Sequence, residues 1–307
     1  TGKGNYSGSA DVEYQILKRS VVLESATDSK PYDGTALTRP NVAVTGDGFA
    51  EGEVTNVRAT GSVTTVAEGE VVNTIVYDEG VNFKAGNYDI TKKEGKLSIT
   101  ALSAEDGLVI TPNNAEYTYN AESHSAGLAS ASASVAGTNV NIEYRVEGSP
   151  DAEWRSDPSV ITAINAGTVT IEVRASADNY SGYKYAEQTL TIKKRDVELT
   201  SASATKVYDG TALTKDWVDM GPNRADTGFT DTGFIWTDLA DDGQVHATGS
   251  QTVVGKSENT ISYKLKDGAA SNYNIIGEHL GTLEVTEQSI VPDPKNPESY
   301  TGVTISN

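Results

Sequence analysis

The sequence predicts an all-β protein: tandem small β-domains, β-grasp-like or Ig-like sandwich modules, in an elongated array. Three observations predict it. Apolar residues alternate with polar ones at period two, Gly, Asn and Asp punctuate the chain at short intervals, and one block of motifs occurs twice in the same order.

The alternation is clearest at Val12, Tyr14 and Ile16, at Val140, Ile142, Tyr144 and Val146, at Val169, Ile171 and Val173, and at Ile261, Tyr263 and Leu265. Period two places one set of side chains on a buried face and the other in water, which is a strand pattern. No stretch has helical periodicity. The 29 glycines supply turns between short strands, and the 15 tyrosines suit sheet surfaces where a ring packs and its hydroxyl stays wet.

The repeats set the domain organisation. Lys30-Pro31-Tyr32-Asp33-Gly34-Thr35-Ala36-Leu37-Thr38 returns as Lys206-Val207-Tyr208-Asp209-Gly210-Thr211-Ala212-Leu213-Thr214. Ala59-Thr60-Gly61-Ser62 returns as Ala247-Thr248-Gly249-Ser250, Asn73-Thr74-Ile75 as Asn259-Thr260-Ile261, Asn87-Tyr88 as Asn272-Tyr273, and Gly95-Lys96-Leu97 as Gly281-Thr282-Leu283. Residues 20–102 and 196–288 are therefore two copies of one module. Asn5-Tyr6-Ser7-Gly8 matches Asn179-Tyr180-Ser181-Gly182, so residues 1–19 read as the terminal strand of a preceding module and 103–195 as a complete, related one. Pro292, Pro294 and Pro297 mark 289–307 as a stiff linker leading into a further module. Each Asp-Gly marks a tight turn, and Tyr32 and Tyr208 beside it read as core anchors at a strand's end.

Tyr32-Asp33-Gly34-Thr35 and Tyr208-Asp209-Gly210-Thr211, with Asn87-Tyr88 and Asn272-Tyr273 before the last strand, resemble the YDG domain family, a relative of the mostly-β MBG repeats of large bacterial surface adhesins. Gly4-Asn5-Tyr6-Ser7-Gly8 is similar to the end of the bacterial Ig-like repeats that alternate with such modules in Gram-positive bacteria. The resemblance implies a string of exported β-domains tethered to the cell. It implies no particular ligand and no functional residue.

Composition narrows the function classes. With 24 Lys+Arg against 43 Asp+Glu the formal charge is -19, which repels nucleic acid and anionic membrane. No apolar run approaches the ~20 residues that span a bilayer. Cysteine is absent, which points away from animal extracellular domains and towards a bacterial surface.

No catalytic signature stands out. His124, His246 and His279 lack metal-type spacing, and there is no nucleophile elbow or phosphate-cradling loop. The expectation is a non-enzyme with no cofactor. For calcium the candidates are Asp238, Asp241 and Asp242, where carboxylates cluster, but the segment lacks the alternating ligand spacing and closing Glu of an EF-hand loop, and an acidic solvated turn is the simpler reading. From Thr38 to Ala59 is 21 positions but from Thr214 to Ala247 is 33, so the second copy holds 12 extra residues. Trp217, Phe229, Phe234 and Trp236 fall in that interval. They read either as fillers of a larger core or as a ligand-binding loop over 215–246 for a host glycan or extracellular protein. The leading expectation is a stalk or spacer segment of a bacterial cell-surface adhesin, extracellular, whose partners are its neighbouring modules. The alternatives are a glycan- or protein-binding module and the accessory region of a large secreted hydrolase.

Overall fold

A computed structural model describes residues 11–220, 233–240, 245–288, 291–293 and 296–301. The chain is all-β, its one α-helical segment being the four residues Ala104–Gly107 among the described residues. It divides into two compact units. The first comprises Thr1–Thr111, Ser130–Ile142 and Arg174–Tyr185, the second Pro112–Ala129, Glu143–Val173 and Ala186–Asn307.

The first unit is built on a long parallel ribbon. Strand Arg19–Ser25 runs parallel to Tyr88–Lys93, and after a bend Asp28–Pro31 runs parallel to Lys96–Thr100. The register continues across the bend, with Arg19 opposite Tyr88 and Asp28 opposite Leu97. Val42–Gly46 adds antiparallel to one arm and Val71–Val72 to the other. Alternation decides which side chains go inside. Val21, Leu23, Ile75 and Tyr88 form one buried cluster, and Leu37, Val63, Leu97 and Ile99 form another. A module whose first and last strands are parallel takes the chain in at one end and releases it at the other, because both strands traverse it in the same direction.

The second unit repeats this plan. Arg195–Ser201 lies parallel to Tyr273–His279 and antiparallel to Val218–Asp219, while Gly281–Thr286 lies between Ala204–Val207, parallel, and Gly255–Asn259, antiparallel. A bulge between Val197 and Glu198 is the one interruption of the ribbon.

Residues 103–195 contribute to both units. In the first, Leu102–Ser103 runs parallel to Tyr180–Ser181, and Leu108–Thr111 pairs antiparallel with Ser130–Ala133 over a cluster of Ala104, Leu108 and Ala175. In the second, Ala115–Thr118 runs parallel to Lys184–Lys193 at the edge of a four-stranded sheet continued by Gly167–Ala177 and Val140–Val146. Tyr144, Ile171, Val173, Leu190 and Ile192 fill its buried face.

Two predicted strands differ. Residues 11–18 form none, and Val12, Tyr14 and Ile16 are exposed. Alternation creates a face but supplies no pairing partner, so an unpaired segment stays in water. Ile261, Tyr263 and Leu265 give only the two-residue strand Ile261–Ser262 and a single bridge from Leu265 to Leu239. The corresponding strand of the first copy, Ile75–Glu79, has the longer Val54–Ala59 to pair with.

Candidate functional site

The motifs that identify the repeat meet in space at the bend of each ribbon. Ser25 Oγ donates to the Asn73 carbonyl at 2.6 Å and accepts from the Gly95 amide at 2.9 Å; Ser201, Asn259 and Gly281 repeat this at 2.5 and 2.9 Å. The Asn73 carboxamide donates to the carbonyls of Ala26 and Arg39, and Asn259 to those of Ala202 and Lys215. Both asparagines are fully buried. A buried carboxamide is tolerated only when its polar atoms are paired, so these bonds fix the bend. Gly61 and Gly249 are glycines for a steric reason: a Cβ there would come within 2.6 Å and 2.5 Å of the Asn73 and Asn259 Cα atoms.

The Tyr-Asp-Gly-Thr turns are equally matched. Asp33 Oδ1 accepts from the Thr35 amide and hydroxyl and from Lys30 Nζ, and Asp209 does the same with Thr211 and Lys206. Gly34 and Gly210 both sit at φ +78°, which glycine adopts without strain. The Lys30 ammonium, then the Thr35 bonds, hold the Asp33 carboxyl down to about 2; Asp209 is lowered likewise, led by Lys206. Asn120 accepts from the Glu122 amide around Ala121, at φ +63°, so Tyr119-Asn120-Ala121 is a third, sequence-diverged version of this turn. The tyrosine amide confirms the equivalence: Tyr32, Tyr119 and Tyr208 each donate to the closing strand, at Thr100, Lys193 and Thr286.

The Asn-Tyr pairs clasp one repeat to the preceding one. In the first unit Asn179 Oδ1 accepts from the Val66 amide at 2.8 Å, and Tyr180 meets Tyr32 edge-on at 6.3 Å. In the second unit Asn272 Oδ1 accepts from the Ala166 amide at 2.8 Å, and Tyr273 meets Tyr119 edge-on at 5.6 Å. Each clasping tyrosine also receives a backbone N–H at its hydroxyl, from Val135 and from Ile235. In the second unit the carboxylate Asp238 Oδ2 accepts both the Tyr119 and Tyr273 hydroxyls at 2.7 Å. Burial and that carboxylate push the Tyr119 phenol up to about 12 and raise Tyr273 as well. Sequence repetition marks Asn87-Tyr88, Asn179-Tyr180 and Asn272-Tyr273 without revealing what they touch. Tyr119 carries no repeated motif at all.

The predicted ligand and metal residues divide. Phe229, Asp241 and Asp242 lie outside the described residues. Asp238 is half of the clasp just described, and among the described residues no group of three or more His, Asp or Glu side chains could hold a metal ion. Phe234 is buried, 5.1 Å from the Tyr273 ring and 4.9 Å from Tyr263. It is no addition of the second copy. Phe49 packs on Tyr88 at 5.4 Å in the same way, and Arg19 and Arg195 bond the carbonyls of Gly48 and Gly233 just before them. Gly48-Phe49 and Gly233-Phe234 are thus equivalent, and the extra residues fall between Asp219 and Gly233 and between Asp238 and His246.

Trp217 and Trp236 stand where the first copy has Asn41 and Glu51, and they are 40% and 65% exposed. A larger core is therefore not what the two indoles fill. The core-anchor expectation also splits: Tyr32 packs on the Leu37 cluster, whereas Tyr208 is 45% exposed. His124 stacks on Tyr117 at 4.2 Å and shares a hydrogen bond with Asn120, and His279 shares one with Glu198.

No family model and no curated protein matches the sequence. Among solved structures the chain is similar to a four-domain Drosophila N-cadherin fragment at 10% identity and TM-score 0.25, covering 89% of this chain and 74% of that one. A three-domain fragment of the same protein matches at 9% identity and TM-score 0.22 over 58% of this chain, which spans 65% of that fragment's length. Three N-terminal domains of the bacteriophage RB49 highly immunogenic outer capsid protein match at 11% identity and TM-score 0.25, covering 88% and 99%. The functional reading therefore rests on the chain's own geometry.

Proposed function

We propose that the chain is a non-catalytic repeat segment, a stalk or spacer of a bacterial cell-surface protein of the YDG and MBG type. The observation that carries this reading is the parallel pairing of first and last strands in each Tyr-Asp-Gly-Thr module, which delivers the chain from one end of the module to the other. The repeated motifs support it too, because their side chains are spent on bends, turns and clasps rather than aimed at an open site. The acidity keeps such a surface soluble.

The test places the chain between a wall anchor and a reporter head on a bacterial surface. Removing residues 103–195 should lower the head's capture of an immobilised target, and replacing them with an unrelated folded module should restore it. Unchanged capture after the removal would overturn the spacer reading.

One observation favours a second reading, binding of a glycan or extracellular protein. Trp217 and Trp236 expose flat apolar faces that the first copy lacks. A glycan array probed with the whole chain tests it, with signal expected to vanish in Trp217→Ala and Trp236→Ala. A blank array with the intact chain rules out the glycan arm.

A further inference from the structure

Each Tyr-Asp-Gly-Thr module takes the chain in on its first strand and releases it from its last, and these two strands are bonded to each other from end to end. We infer that the modules resist tension: a pull along the chain shears the parallel ribbon and must break its bonds together.

Direction decides this. Tension draws Arg19 backwards out of the first module and Thr100 forwards out of it. The strands run parallel, with Arg19 opposite Tyr88 and Pro31 opposite Thr100, so the pull slides one along the other. Ladder bonds run between the strands rather than along them and share the force, and no length is released until they fail as a group. In an antiparallel pair the two ends would leave from one side, and the bonds would open one after another.

The bend is the natural weak point of such a ribbon, and side chains close it. Glu24 opposite Lys93 is the last pair of one arm, and Asp28 opposite Leu97 is the first of the other. Between them Ser25 Oγ accepts from the Gly95 amide at 2.9 Å and Thr27 Oγ1 from the Lys96 amide at 3.1 Å. In the second copy Ser201 Oγ accepts from Gly281 and Ser203 Oγ from Thr282, both at 2.9 Å. The repeated Gly95 and Gly281 permit this approach, because a Cβ there would stand 2.3 Å and 2.4 Å from the Ala26 and Ala202 carbonyl oxygens. Past the bend, Tyr32 and Tyr208 donate their amides to Thr100 and Thr286 at 2.9 Å. Where the last strands begin, the Tyr88 hydroxyl donates to Glu53 Oε2 at 2.6 Å and that of Tyr273 to Asp238 Oδ2 at 2.7 Å. First-to-last bonding therefore continues through the bend in both copies. Resistance to a pull belongs to the unfolding path and is separate from equilibrium stability. It also goes beyond the spacer reading, which needs only the course of the chain.

Single-molecule pulling on the whole chain tests this. The sequence has no cysteine, so each handle can be placed uniquely. Lys18→Cys with Ala101→Cys loads the first copy in shear, whereas Lys18→Cys with Asn87→Cys grips one end of the ribbon and peels it open; all three residues are exposed. At one loading rate the rupture force should be several-fold higher in shear than in peeling. Ser25→Ala should lower the shear force and leave the peeling force unchanged, because peeling starts at Arg19 and meets the bend after its peak. A shear force equal to or below the peeling force would overturn the inference. So would a Ser25→Ala chain whose two forces fall in the same proportion, since force would then report overall stability. The spacer reading fails by its own test, loss of capture on removing 103–195, which neither pulling direction touches.

Discussion

The two Tyr-Asp-Gly-Thr copies share the hydrogen bonds of the bend and of the turn and differ where other groups reach them. At the bend, Asn73 Oδ1 accepts from the Gly61 amide at 3.1 Å, whereas Asn259 Oδ1 has no hydrogen-bond donor among the described residues. At the clasping tyrosine, Glu53 takes one hydroxyl and Asp238 takes two. The same short motif therefore carries different energies in the two copies. Repetition of sequence guarantees the backbone path and leaves the strength of each polar centre to its surroundings.

The largest effect that can break this comparison lies at the bend. Asn73→Ala strands the Gly61 amide and the Ala26 and Arg39 carbonyls in a buried place, at a cost of about 3–5 kcal/mol. Asn259→Ala strands only the Ala202 and Lys215 carbonyls and should cost about 1–2 kcal/mol less. Urea unfolding of both variants measures the order, and a larger loss at Asn259 would reverse the reading.

Next comes the shared carboxylate. Asp238→Ala leaves two hydroxyls without their acceptor and should cost about 2 kcal/mol, while Glu53→Ala leaves one and should cost about half as much. Tyr119→Phe in the Asp238→Ala background should then cost less than it does alone, because the bond to Asp238 is already gone and only the one from the Asn272 side chain is left to lose; an undiminished loss would show that Asp238 is not its partner.

The tyrosine pair also predicts a pH dependence. The Tyr119 phenol titrates near 10 when unfolded and is raised to about 12 in the fold. The neutral form is favoured by folding, so its contribution is complete below pH 10 and is lost as pH rises from 10 towards 12. Thermal stability should fall across that window, and less steeply in Tyr119→Phe. Equal slopes would remove Tyr119 from the clasp.

The smallest effect belongs to the exposed indole. Trp236→Ala should change stability by no more than about 0.5 kcal/mol, and its fluorescence should be readily quenched by acrylamide. A melt lowered by several degrees would return Trp236 to the core.

Much of this was legible beforehand. Val140 to Val146 and Val169 to Val173 read as strands from alternation alone and form them, because a buried face and a wet face are properties of local spacing. Alternation at residues 11–18 misled for the complementary reason, since a strand also needs a neighbour. Proximity in sequence groups Phe234 with the tryptophans, and only the shared Arg–Gly bond and ring packing separate a framework residue from two exposed ones.

By itself, then, the sequence determined the all-β class, the duplication, and the turn at each Tyr-Asp-Gly-Thr, where Asp, Gly and Thr act within a few bonds of one another. The tertiary structure decided what the repeated asparagines and tyrosines hold. Asn272 bonds Ala166, Tyr119 bonds Asp238 and Ser25 bonds Asn73, pairs separated by 106, 119 and 48 positions. Such partners are chosen by the folding of strands onto one another, and a polar side chain carries no mark in sequence of which distant backbone group will come within its reach.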